Sequence, residues 1–187
     1  MIFSNFNFIF YNRFLTIIMA LFTQRLELRE FSIEDAKHLY QLNLNPDVIR
    51  YTGDASFSNI SEATAFLKNY DDYCRNGYGR WAMVEQQTGE FLGWCGLKRH
   101  TDTNETDLGF RLFVKYWNNG FATEAAKACI DYGFNTLRLN SIIGRAMADN
   151  AASIRVLEKI GMRFEQTFDF HGGPGVIYRI SANSQGN

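Results

Sequence analysis

The chain has 187 residues, 46% hydrophobic and 21% charged, a balance that supports one globular unit with a sizeable core. Its formal charge of −1 excludes the broad phosphate-neutralising surface of a nucleic-acid binder. Three widely separated cysteines, Cys74, Cys95 and Cys129, lack C-x-x-C spacing and read as reduced thiols of a cytoplasmic protein, with no metal site expected.

Residues 1–22 carry one charge, Arg13, among Phe, Ile and Asn. The apolar run 14–22 is far shorter than the roughly 20 residues needed to span a bilayer. The segment also lacks a basic start and a small-residue cleavage site. A dispensable extension over 1–18 is therefore expected, with no stable membrane insertion. The domain is expected over 19–181, followed by a frayed tail, 182–187.

Arg25-Leu26-Glu27-Leu28-Arg29 alternates polar and apolar and reads as a strand. Ser32-Ile33-Glu34-Asp35 resembles a helix cap with acids in the first turn, and Ala36, Leu39 and Tyr40 continue at helical spacing. Pro46 stops or restarts that helix. A second helix is expected from Ser61 to about Arg75, ended by Asn76-Gly77. Strands follow over 81–85 and 91–98, joined at Thr88-Gly89, and another over 105–114. A helix is expected over 120–135, a strand over 141–148, a helix over 150–160 ended by Gly161, and strands over 162–170 and 176–180. The order β-α-α-β-β-β-α-β-α-β-β describes a mixed α+β layer architecture, with helices on a largely antiparallel sheet.

Two strings carry chemistry. In Trp117-Asn118-Asn119-Gly120-Phe121-Ala122-Thr123 a strand ends and a helix begins at once. A helix start offers unpaired N–H groups and the positive dipole end, and Gly120 lets an anion approach the backbone. There is no G-x-x-x-x-G-K-[ST] and no G-x-G-x-x-G, so neither a P-loop nor a dinucleotide fingerprint is present. Alone, this turn reads equally as a helix start whose glycine relieves crowding. The second string runs from Asn150 to Met162, with Asn150 as cap and Ser153 one turn on.

Together with Asp107-Leu108-Gly109-Phe110 and the opening 23–36, these strings make residues 22–180 resemble the GCN5-related N-acetyltransferase (GNAT) superfamily, within it the RimJ/RimL ribosomal-protein acetyltransferase branch. The resemblance implies a V-shaped splay between the two central strands, 105–114 and 141–148, with helices on both sheet faces. It implies acetyl-CoA as cosubstrate, its pantetheine amides on the backbone around Leu112, Phe113 and Val114. The pyrophosphate would lie on Asn119, Gly120, Phe121, Ala122 and Thr123. Asn150 would meet the pantetheine arm and Ser153 the thioester sulfur. The first position of the phosphate loop is Trp117, which shifts anion binding towards backbone N–H groups.

The implied reaction is direct attack of a primary amine in a ternary complex, the amine expected to be the N-terminal α-amine of a protein or peptide. Such an amine, with pKa about 7.7–8.0 against about 10.4 for lysine, needs little help to lose its proton near neutral pH. Asp107 and then Glu105, on one strand face, are the candidate bases. The backbone N–H of Phe113 is the expected oxyanion donor. Ser153, or less directly Tyr178, would serve the leaving thiolate. Trp81 and Tyr78 are expected at the acceptor side. His38, His100 and His171 show no partner and read as surface or loop residues. The alternatives are a polyamine or aminoglycoside acetyltransferase, which acids in the acceptor cleft would favour, and a non-catalytic acyl-CoA sensor. Either a monomer or a homodimer is consistent with the chain.

Overall fold

A computed structural model describes residues 20–53, 55–170 and 172–182. The expected extension 1–18, Met19, His171 and residues 183–187 lie outside the described residues. The expected first strand is a hairpin: β1 (Ala20–Phe22) pairs antiparallel with β2 (Leu26–Arg29), and the Thr23 hydroxyl accepts from Leu26 N–H at 2.9 Å in the turn.

A 3-10 turn, Ile33–Asp35, leads into α1 (Ala36–Leu44). Asp35 closes it by accepting from Ser32 N–H at 2.8 Å and from Arg29 at 2.7 and 2.9 Å. Burial raises the Asp35 carboxyl, but the Arg29 and Ser32 hydrogen bonds outweigh it and hold the group below its usual range. Pro46 restarts a helix, opening α2 (Pro46–Ile49) at its first position, where no donor is needed.

The single helix expected over 61–75 is two, α3 (Ile60–Lys68) and α4 (Asp72–Asn76). Tertiary hydrogen bonds explain the break. With the chain bent at 69–71, the Tyr70 hydroxyl accepts from Arg80 N–H at 2.7 Å and the Tyr73 hydroxyl donates to Arg80 C=O. Gly77, at φ 74°, ends α4 in the left-handed conformation.

The remaining elements are β3 (Arg80–Glu85), β4 (Phe91–His100), β5 (Glu105–Leu112), α5 (Phe121–Asn135), β6 (Ser141–Met147), α6 (Ala151–Lys159), β7 (Arg163–Phe170) and β8 (Gly173–Ser181). β5 stops two residues early because Val114–Tyr116 coils into a 3-10 turn. The eight strands form one sheet in the order β1-β2-β3-β4-β5-β6-β8-β7, antiparallel throughout except for β5 and β6.

Alternation sends Trp81, Cys95, Leu97 and Leu108 to one face, against Ala125, Cys129 and Tyr132 of α5. Trp81 meets Tyr132 edge-on at 5.4 Å. Cys95 and Cys129, far apart in sequence, bring their sulfurs to 3.7 Å there, and burial pushes the Cys129 thiol up. On the other face α1 and α3 pack on a cluster whose strand members, Ala82, Phe91 and Trp94, come from β3 and β4. Beyond Trp94 that face opens into a cleft. Among the described residues no helix is long and apolar enough to cross a membrane.

Candidate active site

The cleft begins where the sheet comes apart. β5 and β6 are in register at Asp107–Ile143 and Leu108–Gly144 and then diverge. Phe113 N–H donates to Leu92 C=O at 3.0 Å and Arg111 lies opposite Trp94, so the odd-numbered residues at this end of β5 bond to β4. In such a ladder the intervening residues turn their backbone groups the other way. Phe110 and Leu112 thus direct theirs towards the space that β6 has left. Leu112 C=O takes the Trp117 indole N–H at 2.9 Å, while Leu112 N–H and both polar groups of Phe110 face the opening. The cleft has a volume of about 950 Å³.

One wall is the start of α5. Gly120, at φ 80°, is its cap, and Asn118 also has positive φ, 62°. The helix's own hydrogen bonds begin with Glu124 N–H to Gly120 C=O at 3.0 Å. The amides of Phe121, Ala122 and Thr123 precede it and have no intrahelical acceptor. Trp117, Asn118 and 120–123 line the cleft. This donor set fits a pyrophosphate.

The loop also has a cation that sequence reasoning missed. Arg25 donates from NH1 to Asn119 C=O at 3.0 Å and from Nε to Glu124 at 2.7 Å, with its guanidinium 4.2 Å above the Phe121 ring. Arg25 N–H and the Thr23 hydroxyl also donate to Glu124, at 2.8 and 2.6 Å. Burial alone would raise the Glu124 carboxyl, but the Thr23 and Arg25 hydrogen bonds bring it below its usual range. In sequence Arg25 was one polar step in a strand, and nothing there signals a partner 99 residues away.

The facing wall is the start of α6. The Asn150 side chain accepts from Ser153 N–H at 3.1 Å, as its capping position suggests. Asn150, Ser153 and Val156 all line the cleft.

At the fork lies Asp107, 6% exposed. Its Oδ1 is 3.6 Å from Arg145 Nε and its Oδ2 is 3.7 Å from His100 Nε2. Among the described residues Oδ1 is buried without a hydrogen-bond donor. Arg145 also donates to His100 Nε2, so the ring accepts there. His100, expected to be a partnerless surface residue, instead belongs to this cluster, because β4 and β6 both reach it. His38 stacks on Phe91 with centroids 4.9 Å apart, its Nδ1 buried without a hydrogen-bond partner among the described residues.

Other expected site residues lie elsewhere. Glu105 is bound to Arg179, which also holds Glu165 at 2.8 Å, so the two carboxylates of β5 serve different neighbourhoods. Trp81 and Tyr78 are core, not acceptor-side, residues, 1% and 6% exposed: strand parity turns Trp81 towards α5, and the Tyr78 hydroxyl is engaged with Thr106 at 2.8 Å. The Phe113 N–H is spent on Leu92 C=O, so it is not free for its expected role as oxyanion donor. Neither Phe113 nor Val114 lines the cleft; Val114 C=O takes the Trp117 N–H at 3.0 Å, and Asn119 offers its carbonyl to Arg25. Tyr178 donates to Glu158 at 3.1 Å behind α6. No group of three or more His, Cys, Asp or Glu able to hold a metal occurs among the described residues.

The comparisons with known proteins agree with this geometry. Residues 25–163 match the acetyltransferase (GNAT) domain. The uncharacterized protein YkkB of Bacillus subtilis is 36% identical over 165 residues, 84% of this chain and 93% of its own. The uncharacterized N-acetyltransferase p20 of Bacillus licheniformis is 33% identical over 148 residues, 78% of this chain and 83% of that one. The crystal structure of a GNAT-family acetyltransferase from Bacillus anthracis matches with a TM-score of 0.78 and 26% identity, covering 88% of this chain and 99% of that one. With a splayed sheet, an anion-ready helix start and a family match across most of its length, the chain belongs to the GNAT family of acetyl-CoA-dependent N-acetyltransferases.

Proposed function

We propose that the acceptor is an α-amine, that of a protein or peptide N-terminus, and that Asp107 receives the proton it loses. The observation that carries this reading is the buried Asp107 Oδ1, which lacks a donor at the point where β5 and β6 part. A buried acceptor without a donor is costly, and an amine N–H directed at the fork would supply one.

Acetyl-CoA supplies an acyl thioester. Its pyrophosphate would lie on the amides of 121–123 and its pantetheine arm along Phe110, Leu112 and Asn150. The amine nitrogen bonds to the acyl carbon as the carbon–sulfur bond breaks, and the nitrogen's proton then becomes acidic enough for a carboxylate to take. The N–H groups of Phe110 and Leu112 would receive charge developing on the carbonyl oxygen. Ser153 would donate to the departing sulfur.

The spermidine N(1)-acetyltransferase of Escherichia coli, 28% identical over 141 residues, 74% of this chain and 73% of that one, raises a polyamine as rival acceptor. The cleft argues against it. Its acids are Asp47, Asp107 and Asp169, against Arg80, Lys98, Arg111, Arg145, Arg155 and Lys159, a poor seat for a polycation. We further propose that residues 1–18 are dispensable for this activity.

The test is release of CoA from acetyl-CoA with N-terminally free peptides, their blocked counterparts and spermidine as acceptors. Turnover with free peptides alone is expected. Turnover with spermidine alone would overturn the acceptor assignment.

A further inference from the structure

Arg80, the first residue of β3, lines the cleft and is, among the described residues, held in place without an anionic partner. Two phenols pin its backbone, Tyr70 accepting its N–H at 2.7 Å and Tyr73 donating to its C=O. Burial pushes both hydroxyls well above the usual phenol range, so they remain neutral and keep these bonds. Its guanidinium carbon lies 4.4 Å from the centre of the Trp94 ring, which holds the group over that ring. A side chain at Gly109 would meet Trp94 at 3.2 Å and Arg80 NH2 at 3.4 Å, so the guanidinium lies over the first residue after the fork.

Among the described residues this guanidinium has no hydrogen-bond acceptor or carboxylate, and its Nε is buried without one. Lys98, the cross-strand partner of Asp107, also lines the cleft without an ion pair. An oriented, half-buried Arg fork with nothing to bind is the arrangement that recognises a planar anion. It stands on the opposite sheet face from α5: Cys95 turns towards Cys129 of that helix, and Trp94 turns away. The helix start that would hold the pyrophosphate is thus on one side of the fork and Arg80 on the other.

We propose that Arg80, assisted by Lys98, binds a carboxylate carried by the acceptor itself, so that the substrate is an amine with a carboxylate within a few bonds of its nitrogen: a free amino acid, or a peptide with an acidic residue at its start. The inference rests on the α-amine and the Asp107 role of the acceptor reading above, and a free amino acid as substrate would replace the peptide of that reading. Asp107 and Gly109 are two steps apart on one strand face, about 7 Å. That span lets one short amino-carboxylate place its nitrogen at Asp107 and its carboxylate at Arg80.

The experiment uses the full chain with acetyl-CoA and matched acceptors: L-alanine against L-alaninamide, an Ala-Glu against an Ala-Gln peptide, and spermidine. The carboxylated member of at least one pair is expected to lead in kcat/KM by about tenfold or more. The leading pair distinguishes free amino acid from peptide. R80Q is expected to bring that ratio near one, by raising the KM for the carboxylated acceptor and not that for acetyl-CoA. R80K, which keeps the charge and loses the fork, should retain part of the preference. Equal use of both members of each pair, preference for spermidine, or a ratio unmoved by R80Q overturns the proposal. Calorimetric binding of the same acceptors to the CoA-saturated protein separates the two readings. Arg80-dependent carboxylate binding without turnover overturns the acetyl transfer and upholds the carboxylate site, whereas turnover without preference does the reverse.

Discussion

Arg25 Nε donates to Glu124 Oε2 at 2.7 Å and ties the start of β2 to the first turn of α5. Because Arg25 NH1 also holds Asn119 C=O, one side chain fixes the loop that would carry the pyrophosphate. R25A is expected to raise the KM for acetyl-CoA about tenfold, with kcat within about twofold, since the loop positions ligand without touching the reacting atoms. The Glu124 carboxyl is depressed in the fold, so its contribution is complete above its unfolded pKa of about 4.3 and lost only as pH falls through the folded value. The KM should therefore stay flat from pH 8 to pH 5. A rise already at pH 6 would contradict this role.

D107N and E105Q separate the two carboxylates of β5. Loss of a proton acceptor at the fork is expected to lower kcat about a hundredfold and leave acetyl-CoA binding intact. Glu105 is engaged with Arg179 outside the cleft, so E105Q should change kcat by less than about twofold. Comparable losses in both variants would remove Asp107 from its proposed role.

Gly120 sits at φ 80°, and a side chain there would meet Arg25 NH2 at 3.4 Å. G120A is expected to cost about 1–2 kcal/mol in urea unfolding and to weaken acetyl-CoA binding as well. Unchanged affinity, measured by calorimetry, would show that the helix start is not the anion seat.

His38 is held below its usual pKa by burial and by the neighbouring Lys37 charge. Its folded value lies under the unfolded value of about 6.5, so the unfolded chain takes up the proton first and stability falls as pH drops through that window. H38Q removes this penalty and also loses the stack on Phe91. The Tm gap between wild type and H38Q should narrow from pH 7.5 to pH 5, and a constant gap would contradict the assignment.

Much of this molecule is legible in its sequence because its elements obey local rules. Alternation in Leu26–Arg29, the Asn150 cap and the Gly77 and Gly161 ends each reappear in the structure. The paired strings around Gly120 and Asn150 marked the two walls of the cleft. What escaped depends on long-range register. Whether Trp81 turns to the core or the cleft is set by the parity of β3 against its partner strands. Whether Phe113 N–H is available depends on Leu92, in another strand. His100 and Arg145 meet only because β4 and β6 flank β5, and Arg80 gains its meaning from Tyr70, Tyr73 and Trp94 together. No window of sequence contains such sets.

Among the described residues the strand ladder between the two halves of the sheet, β1 to β5 and β6 to β8, runs over two register pairs, Asp107–Ile143 and Leu108–Gly144. Past that seam Phe110 and Leu112 present an unfinished edge. A ligand lying along it would close the gap as a substitute strand, and its affinity would be drawn partly from hydrogen bonds the fold has left unmade. Amide exchange at Phe110 and Leu112 should slow sharply when CoA binds, while that of Arg111 and Phe113, already bonded to β4, should change little. The protein would then gain cohesion from its own cosubstrate and loosen with each product released.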